Sequence, residues 1–145
     1  MNMRQNKVFL DSSVIIAALA SKTGGSHEVL ALAELGLILP FISEDVVSEV
    51  LRNVNKKLPS SANLFYMLFK TLPFKIIDAA ERDMEYAKSL INEKDAPILA
   101  AAISGKVDWL LSLDKHFLTV DWKGKVNFVV CSPKLFLQEI VINTD

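Results

Sequence analysis

Residues 8–16 read VFLDSSVII, and they join the end of a strand to the start of a helix. The apolar run at residues 7–10 predicts a buried strand, and residues 13–21 predict a helix. Asp11 stands at the junction between the two elements. Because ligands of open α/β sheets bind beyond the carboxyl ends of the strands, an acid at such a junction is a candidate for a functional site.

The rest of the chain continues this alternation of strands and helices. Further strands are predicted at residues 37–42, 74–77, 109–112 and 128–130, and helices at residues 27–35, 43–57, 61–71, 79–92, 95–104 and 133–140. The alternation predicts an α/β fold, a three-layer α/β/α sandwich with a central parallel sheet. The sequence contains no repeat, linker or low-complexity segment, so residues 1–145 are expected to form a single domain.

The composition fits an ordinary folded domain and excludes some classes of protein. Hydrophobic residues make up 51% of the 145 residues, enough to fill a core without structural metal ions or disulfide bonds, and Cys131 is expected within that core. The formal net charge is −1, so the chain is not one of the strongly basic proteins that coat nucleic acid. No apolar run has the length of a membrane span, and a cytoplasmic protein with no membrane partner is expected.

Three more carboxylates fall where they can join Asp11. Asp114 follows a predicted strand and therefore belongs at the same edge of the sheet. Asp95 opens a helix in line with its apolar stripe, where an acid is costly unless another group compensates it. Glu49 flanks the apolar stripe of its own helix, from where its side chain can reach over the edge of the sheet.

A shared metal site explains these acids better than four separate structural roles. Taken singly, each Asp could be only a helix N-cap, and Glu49 could be a surface acid that pairs with Arg52. Together, the four would repel one another unless divalent cations neutralised them. Oxygen ligands suit Mg²⁺ or Mn²⁺, and a zinc site is not expected because His116 is the only His or Cys near these positions.

Four motifs around these acids resemble the acidic motifs of the PIN domain family. Residues 8–16 (VFLDSSVII) resemble its opening motif, and Glu49 within SEVL falls where the family carries an acid on a helix. Residues 94–102 (KDAPILAAA) resemble the third motif and residues 110–117 (LLSLDKHF) the fourth. The resemblance extends from residue 7 to about residue 140. By size and build the chain is most similar to the VapC-type ribonuclease toxins of toxin–antitoxin pairs.

The resemblance implies an endoribonuclease that cleaves RNA with Mg²⁺ or Mn²⁺. One or two ions would be held by Asp11, Asp95, Asp114 and, directly or through water, Glu49. Water of lowered pKa on the metal would attack the phosphodiester and leave a 5′-phosphate and a 3′-hydroxyl. Ser12 and Ser112 would hydrogen-bond the carboxylates or the waters on the metal.

Basic residues near the acids are candidates for contacts with the RNA backbone. These residues are Arg52, Lys56, Lys57 and Lys115. The alternative is that they form an ordinary solvated face. His116 could assist proton transfer to the leaving group, or it could simply pack or cap beside Phe117.

The sequence also leaves other functions open. The chain could be a free-standing PIN-fold nuclease without an antitoxin, or a non-catalytic PIN-fold interaction module, although the complete set of acids argues against the module. A phosphotransfer receiver is disfavoured, because Asp11 has no acidic neighbour and Asp95 does not follow a strand. The helices at residues 27–35 and 61–71 carry apolar residues on more than one side, which predicts a homodimer, an antitoxin groove or both.

Overall fold

A central sheet of five parallel strands forms the middle layer of the molecule. The computed structural model describes residues 5–143, and side-chain burial up to residue 140. The strands are β1 (Asn6–Leu10), β2 (Ile38–Ile42), β3 (Lys75–Ile76), β4 (Trp109–Leu111) and β5 (Val129–Cys131), in the spatial order β3-β2-β1-β4-β5. Residues 1–4 and 144–145 of the predicted domain lie outside the described range, and the single-domain boundary stays a prediction.

Eight α-helices and one 3-10 turn lie within residues 5–143. They are α1 (Ser12–Ala20), α2 (Gly25–Glu34), α3 (Glu44–Lys57), the turn Pro59–Ser61, α4 (Ala62–Thr71), α5 (Glu81–Leu90), α6 (Ala96–Ser104), α7 (Lys115–Leu118) and α8 (Pro133–Asn143). The chain runs outward from β1 to β2 and β3, then crosses to β4 and β5 on the other side of β1. Because crossovers between parallel strands are right-handed, this reversal places helices on both faces of the sheet. The predicted α/β/α sandwich with a central parallel sheet is confirmed.

The reversal of strand order creates a crevice between β1 and β4. The two strands are parallel neighbours, and their pairing continues one residue past β1, where the Asp11 N–H donates to the Leu111 carbonyl at 3.0 Å. Residues 8–10 are fully buried, because β1 has a strand on each side and helices above and below. The apolar core therefore extends up to Asp11. The polar groups of the chain beyond it lie at the point where the strand order reverses, which is where α/β proteins bind ligands.

The structure moves several predicted boundaries and adds one helix. Helix α7, which was not predicted, follows Asp114 and has only four residues, too few for a periodic apolar pattern. The predicted helix at residues 61–71 begins one residue later, after the 3-10 turn. The predicted strand at residues 74–77 shrinks to β3, an exposed edge strand that pairs with β2 alone. The last predicted strand shifts by one residue to β5 and ends at Cys131, which is buried as expected.

Large apolar side chains stay exposed around α2 and α4. Leu35 is 72% exposed, Met67 63% and Tyr66 50%. The two helices thus carry more apolar surface than the core covers. No helix in residues 5–143 combines the length and hydrophobicity needed to cross a membrane.

Candidate active site

Asp11 lies at the carboxyl end of β1, where the chain turns into α1. Its carboxylate accepts hydrogen bonds from the Ser12 backbone N–H at 2.8 Å, the Ser13 hydroxyl at 2.8 Å and the Ser112 hydroxyl at 2.7 Å. Burial raises the pKa of Asp11, these hydrogen bonds oppose the rise, and the charge of Asp114 adds to it. The residue is only 4% exposed, so its ionised form is costly unless a cation offsets the charge.

Ser112 links Asp11 to Asp114 across the crevice. Its hydroxyl is fully buried at the end of β4, donates to Asp11 and accepts a hydrogen bond from the Asp114 N–H at 2.9 Å. Ser13 makes a second link, because its hydroxyl accepts from the Leu113 N–H at 3.0 Å. The loop that carries Asp114 is therefore fastened to the acid at the end of β1 by two serines.

Asp95 is buried beside the same crevice, at the start of α6. It is the N-cap residue of this helix, but its carboxylate makes no capping hydrogen bond. Its Oδ2 instead accepts from the Asn92 amide at 2.8 Å and lies 2.8 Å from Nδ1 of His116. The interpretation of Asp95 as a simple cap is therefore wrong. Asp114 does cap α7, through the His116 N–H at 2.9 Å, but it faces the same group of side chains.

Glu49 reaches the crevice from α3. All four predicted acids line a single cavity of about 150 Å³, together with His116 and Lys94 among others. Glu49 is half-buried, and no ion pair within residues 5–143 joins it to Arg52, so the surface pair considered as an alternative is not observed. The four acids come from widely separated parts of the sequence, so the fold alone brings them together.

The side chains in the cavity fit a divalent cation. Asp95, Asp114 and His116 each offer a ligand atom, and these three atoms lie within 4.8 Å of one another. Carboxylate oxygens with an imidazole nitrogen are donors that divalent cations use. The raised pKa of Asp11 is a second indication, because burial, and to a smaller extent the charge of Asp114, makes its ionised form costly where a cation would offset the charge. His116, the one His that the sequence placed near these acids, belongs to this group.

Several residues of the site were not predicted from the sequence. The Ser13 hydroxyl donates to the Asp11 carboxylate at 2.8 Å, the same distance as the Ser12 backbone N–H. The Asn92 side chain donates to the Asp95 carboxylate through its amide and accepts from the Asp95 N–H at 3.1 Å. Ser13 lies two residues after its acid and Asn92 three residues before its own, spacings at which short polar side chains commonly bond local groups. These spacings can be read from the sequence, but many other pairs of residues share them, so they do not single out Ser13 or Asn92.

A basic cleft adjoins the acidic cavity. It measures about 450 Å³ and shares Glu49, Asn53, Lys94 and Ile98 with the cavity. Three of the four predicted basic residues line it, namely Arg52, Lys56 and Lys57. Lys94 was not predicted and lies where the two spaces meet. The fourth predicted residue, Lys115, is exposed on α7 but lines neither space.

Comparison with known proteins identifies both a family and a fold. The family model described as the PIN domain matches residues 8–123. No curated protein sequence matches the chain. The fold is similar to that of VapBC2 from Rickettsia felis, solved bound to a DNA fragment from its promoter, at 18% identity and a TM-score of 0.62, covering 86% of this chain and 96% of that one.

Two further solved structures share this fold. A toxin–antitoxin complex from Klebsiella pneumoniae has 20% identity and a TM-score of 0.61, and the match covers 87% of this chain and 97% of that one. VapC20 from Mycobacterium tuberculosis, described as a sarcin-ricin loop cleaving toxin, has 16% identity and a TM-score of 0.53, with 83% and 97% covered.

Proposed function

This chain belongs to the PIN domain family, and from that membership and its acidic cavity we propose that it is a metal-dependent endoribonuclease that hydrolyses RNA phosphodiester bonds. The observation that carries the proposal is the meeting of four carboxylates, Asp11, Glu49, Asp95 and Asp114, at one small cavity beyond β1 and β4. Acids that only cap helices or pair with surface cations have no reason to converge on one space.

The metal would be held by Asp11, Asp95 and Asp114, with Glu49 taking part directly or through water. The proposed ion is Mg²⁺ or Mn²⁺, because oxygen donors dominate the cavity. When bound, such an ion supplies Lewis acidity at the scissile phosphate and an activated water near neutral pH. The protein's own contribution is orientation. Ser13 and Ser112 hold Asp11 in one direction, and Asn92 holds Asp95.

The basic cleft is the proposed path of the RNA strand into the cavity. Arg52, Lys56 and Lys57 would bind phosphates along α3, and Lys94 would bind a phosphate beside the cut. Lys115, exposed on α7 directly after Asp114, would contact the strand outside both spaces. A chain with a net charge of −1 needs such a local patch to hold a polyanion.

The proposal extends to a toxin of a toxin–antitoxin pair. The solved structures from Rickettsia felis and Klebsiella pneumoniae are a VapBC and a toxin–antitoxin complex, and the match covers nearly all of each similar chain. The exposed apolar residues on and near α2 and α4 supply surface for an antitoxin, a second copy of the chain, or both. A free-standing nuclease would share the site but not this partner.

The test compares single-stranded RNA cleavage with Mn²⁺ and with EDTA, using the wild-type protein, Asp95→Asn and a control. Asp121→Asn is a matched control, because Asp121 is exposed and accepts only a local hydrogen bond from the Lys123 N–H. We expect metal-dependent cleavage that falls by at least about 100-fold in Asp95→Asn and is unchanged in the control.

The ends of the products test the mechanism separately from the activity. Hydrolysis by water leaves a 5′-phosphate, whereas a 2′,3′-cyclic phosphate would contradict it. Protein that binds Mn²⁺ but cuts no mixed RNA would point to a narrow target. Protein that neither binds metal nor cuts would leave a non-catalytic PIN-fold module.

A further inference from the structure

His116 lines the acidic cavity and contacts its carboxylates. Its Nδ1 lies 2.8 Å from Oδ2 of Asp95 and 3.6 Å from Oδ1 of Asp114. The His116 backbone N–H also donates to Asp114 Oδ1 at 2.9 Å, which fixes the start of α7 relative to that acid. The imidazole therefore spans the two carboxylates that come from α6 and from the end of β4.

Asp95 has a hydrogen-bond partner other than His116 that orients its carboxylate. Asn92 already donates to the same oxygen of Asp95 at 2.8 Å and accepts from the Asp95 N–H. The side chain of His116 is 60% exposed and therefore contributes little to the packed core, whereas that of Asp95 is 9% exposed. An exposed ring whose Nδ1 faces two carboxylates stands where a cation bound between them could take this nitrogen as a ligand, in place of its hydrogen bond to Asp95.

We propose that His116 supplies a nitrogen ligand to the metal centre, so that the centre binds Mn²⁺ in preference to Mg²⁺. The inference rests on the proposed function, because it requires that the acidic cavity bind a divalent cation. Mg²⁺ favours oxygen ligands and retains its waters, whereas transition metals accept imidazole readily and bind it more tightly. Two carboxylates and one imidazole, with their ligand atoms within 4.8 Å, form such a mixed donor set.

The test uses metal-free full-length protein and Mn²⁺ alone, read by electron paramagnetic resonance. Pulsed measurements report ¹⁴N coupling to bound Mn²⁺, and the free Mn²⁺ signal gives the affinity. The variants are His116→Gln and, as a matched control, His27→Gln, since His27 is exposed and lines a separate groove between α2 and α4. Circular dichroism checks that each variant is folded.

We expect ¹⁴N coupling in the wild type and in His27→Gln, and its loss in His116→Gln. The Mn²⁺ affinity should fall on the order of tenfold in His116→Gln, while the Mg²⁺ affinity, measured by competition, should change less than about twofold. Bound Mn²⁺ without ¹⁴N coupling, or coupling that persists in His116→Gln, would overturn this inference and leave the nuclease proposal standing. A wild-type protein that binds no Mn²⁺ would overturn both.

Discussion

Replacing Ser112 with alanine should destabilise the metal-free protein by about 2–4 kcal/mol near pH 7. The hydroxyl is fully buried and makes two hydrogen bonds, donating to the Asp11 carboxylate at 2.7 Å and accepting from the Asp114 N–H at 2.9 Å. A hydrogen bond to a charged group contributes about 1.5–3 kcal/mol and a neutral one about 0.5–1.5 kcal/mol. Alanine removes both and leaves the buried Asp11 carboxylate and the Asp114 N–H with fewer partners.

The destabilisation should depend on pH through Asp11. Its pKa in the folded protein is raised above the ordinary value of 3.8, and the Ser112 hydrogen bond opposes that rise. A carboxyl group whose pKa is higher in the folded than in the unfolded protein stabilises the fold at pH values below its unfolded-state pKa. This stabilisation is lost as the pH rises through its folded-state pKa. The Ser112→Ala variant lacks this hydrogen bond, so the pKa of Asp11 in the folded protein should be higher still. The additional loss in the free energy of unfolding should therefore appear near neutral pH and disappear toward pH 3.8.

Urea unfolding in EDTA, at about pH 7 and about pH 4, measures both effects. Ser43→Ala is the matched control. Ser43 is also buried, but its hydroxyl accepts only the Val46 N–H, at 3.3 Å, as the cap of α3. Its loss should cost about 1 kcal/mol at both pH values. A loss of unfolding free energy in Ser112→Ala that is no larger than in Ser43→Ala near pH 7, or that is equal at both pH values, would refute this prediction.

Three further outcomes follow from the site and the core. Lys94→Ala should weaken binding of single-stranded RNA and reduce the slope of log affinity against log salt by about 0.7, while an exposed control, Lys123→Ala, should leave the slope unchanged. Asp114→Asn should lower the pKa of Asp11 in metal-free protein, because the charge of Asp114 raises this pKa. Titration of the carboxyl ¹³C NMR signal measures the change, and an unchanged pKa would contradict an effect of the Asp114 charge on Asp11. Burial and, less strongly, the charge of Glu139 raise the pKa of Cys131 to about 11, so this thiol should resist alkylation near pH 8 until the protein unfolds, as mass spectrometry would show.

The burial of Asp11 implies a cost in stability when this residue is ionised. An acid whose pKa is raised by burial is more stable when protonated, yet metal binding requires it ionised. Under the proposed function, divalent cations should therefore stabilise the fold, because they would bind the native arrangement of acids and not the unfolded chain. The proposed function would explain why an acid stands at this buried position despite the cost.

Two of the four acids could be placed from the sequence because their positions follow from local pattern. Asp11 and Asp114 come after apolar strands, and parallel strands in one sheet end at a common edge. Asp95 was predicted to belong to the site because it lies in line with the apolar stripe of its helix. Glu49 was predicted only because it lies beside the apolar stripe of its own helix. Helix α7 and the role of Ser13 were missed, since four residues of helix and one short polar contact leave no periodic signal.

The sequence by itself determined the alternation of strand and helix, the depth of the core around residues 8–10, and which acids stand at strand and helix ends. These features depend on the spacing of apolar residues over ten or so positions, which local periodicity records. Only the tertiary structure decided that β4 lies beside β1, which brings Ser112 onto Asp11 from 101 residues away. It also decided that His116 meets Asp95 and that Lys94 joins the basic cleft to the acids. Such contacts depend on how helices pack across the sheet, a non-local balance of burial and chain connection that no single segment encodes.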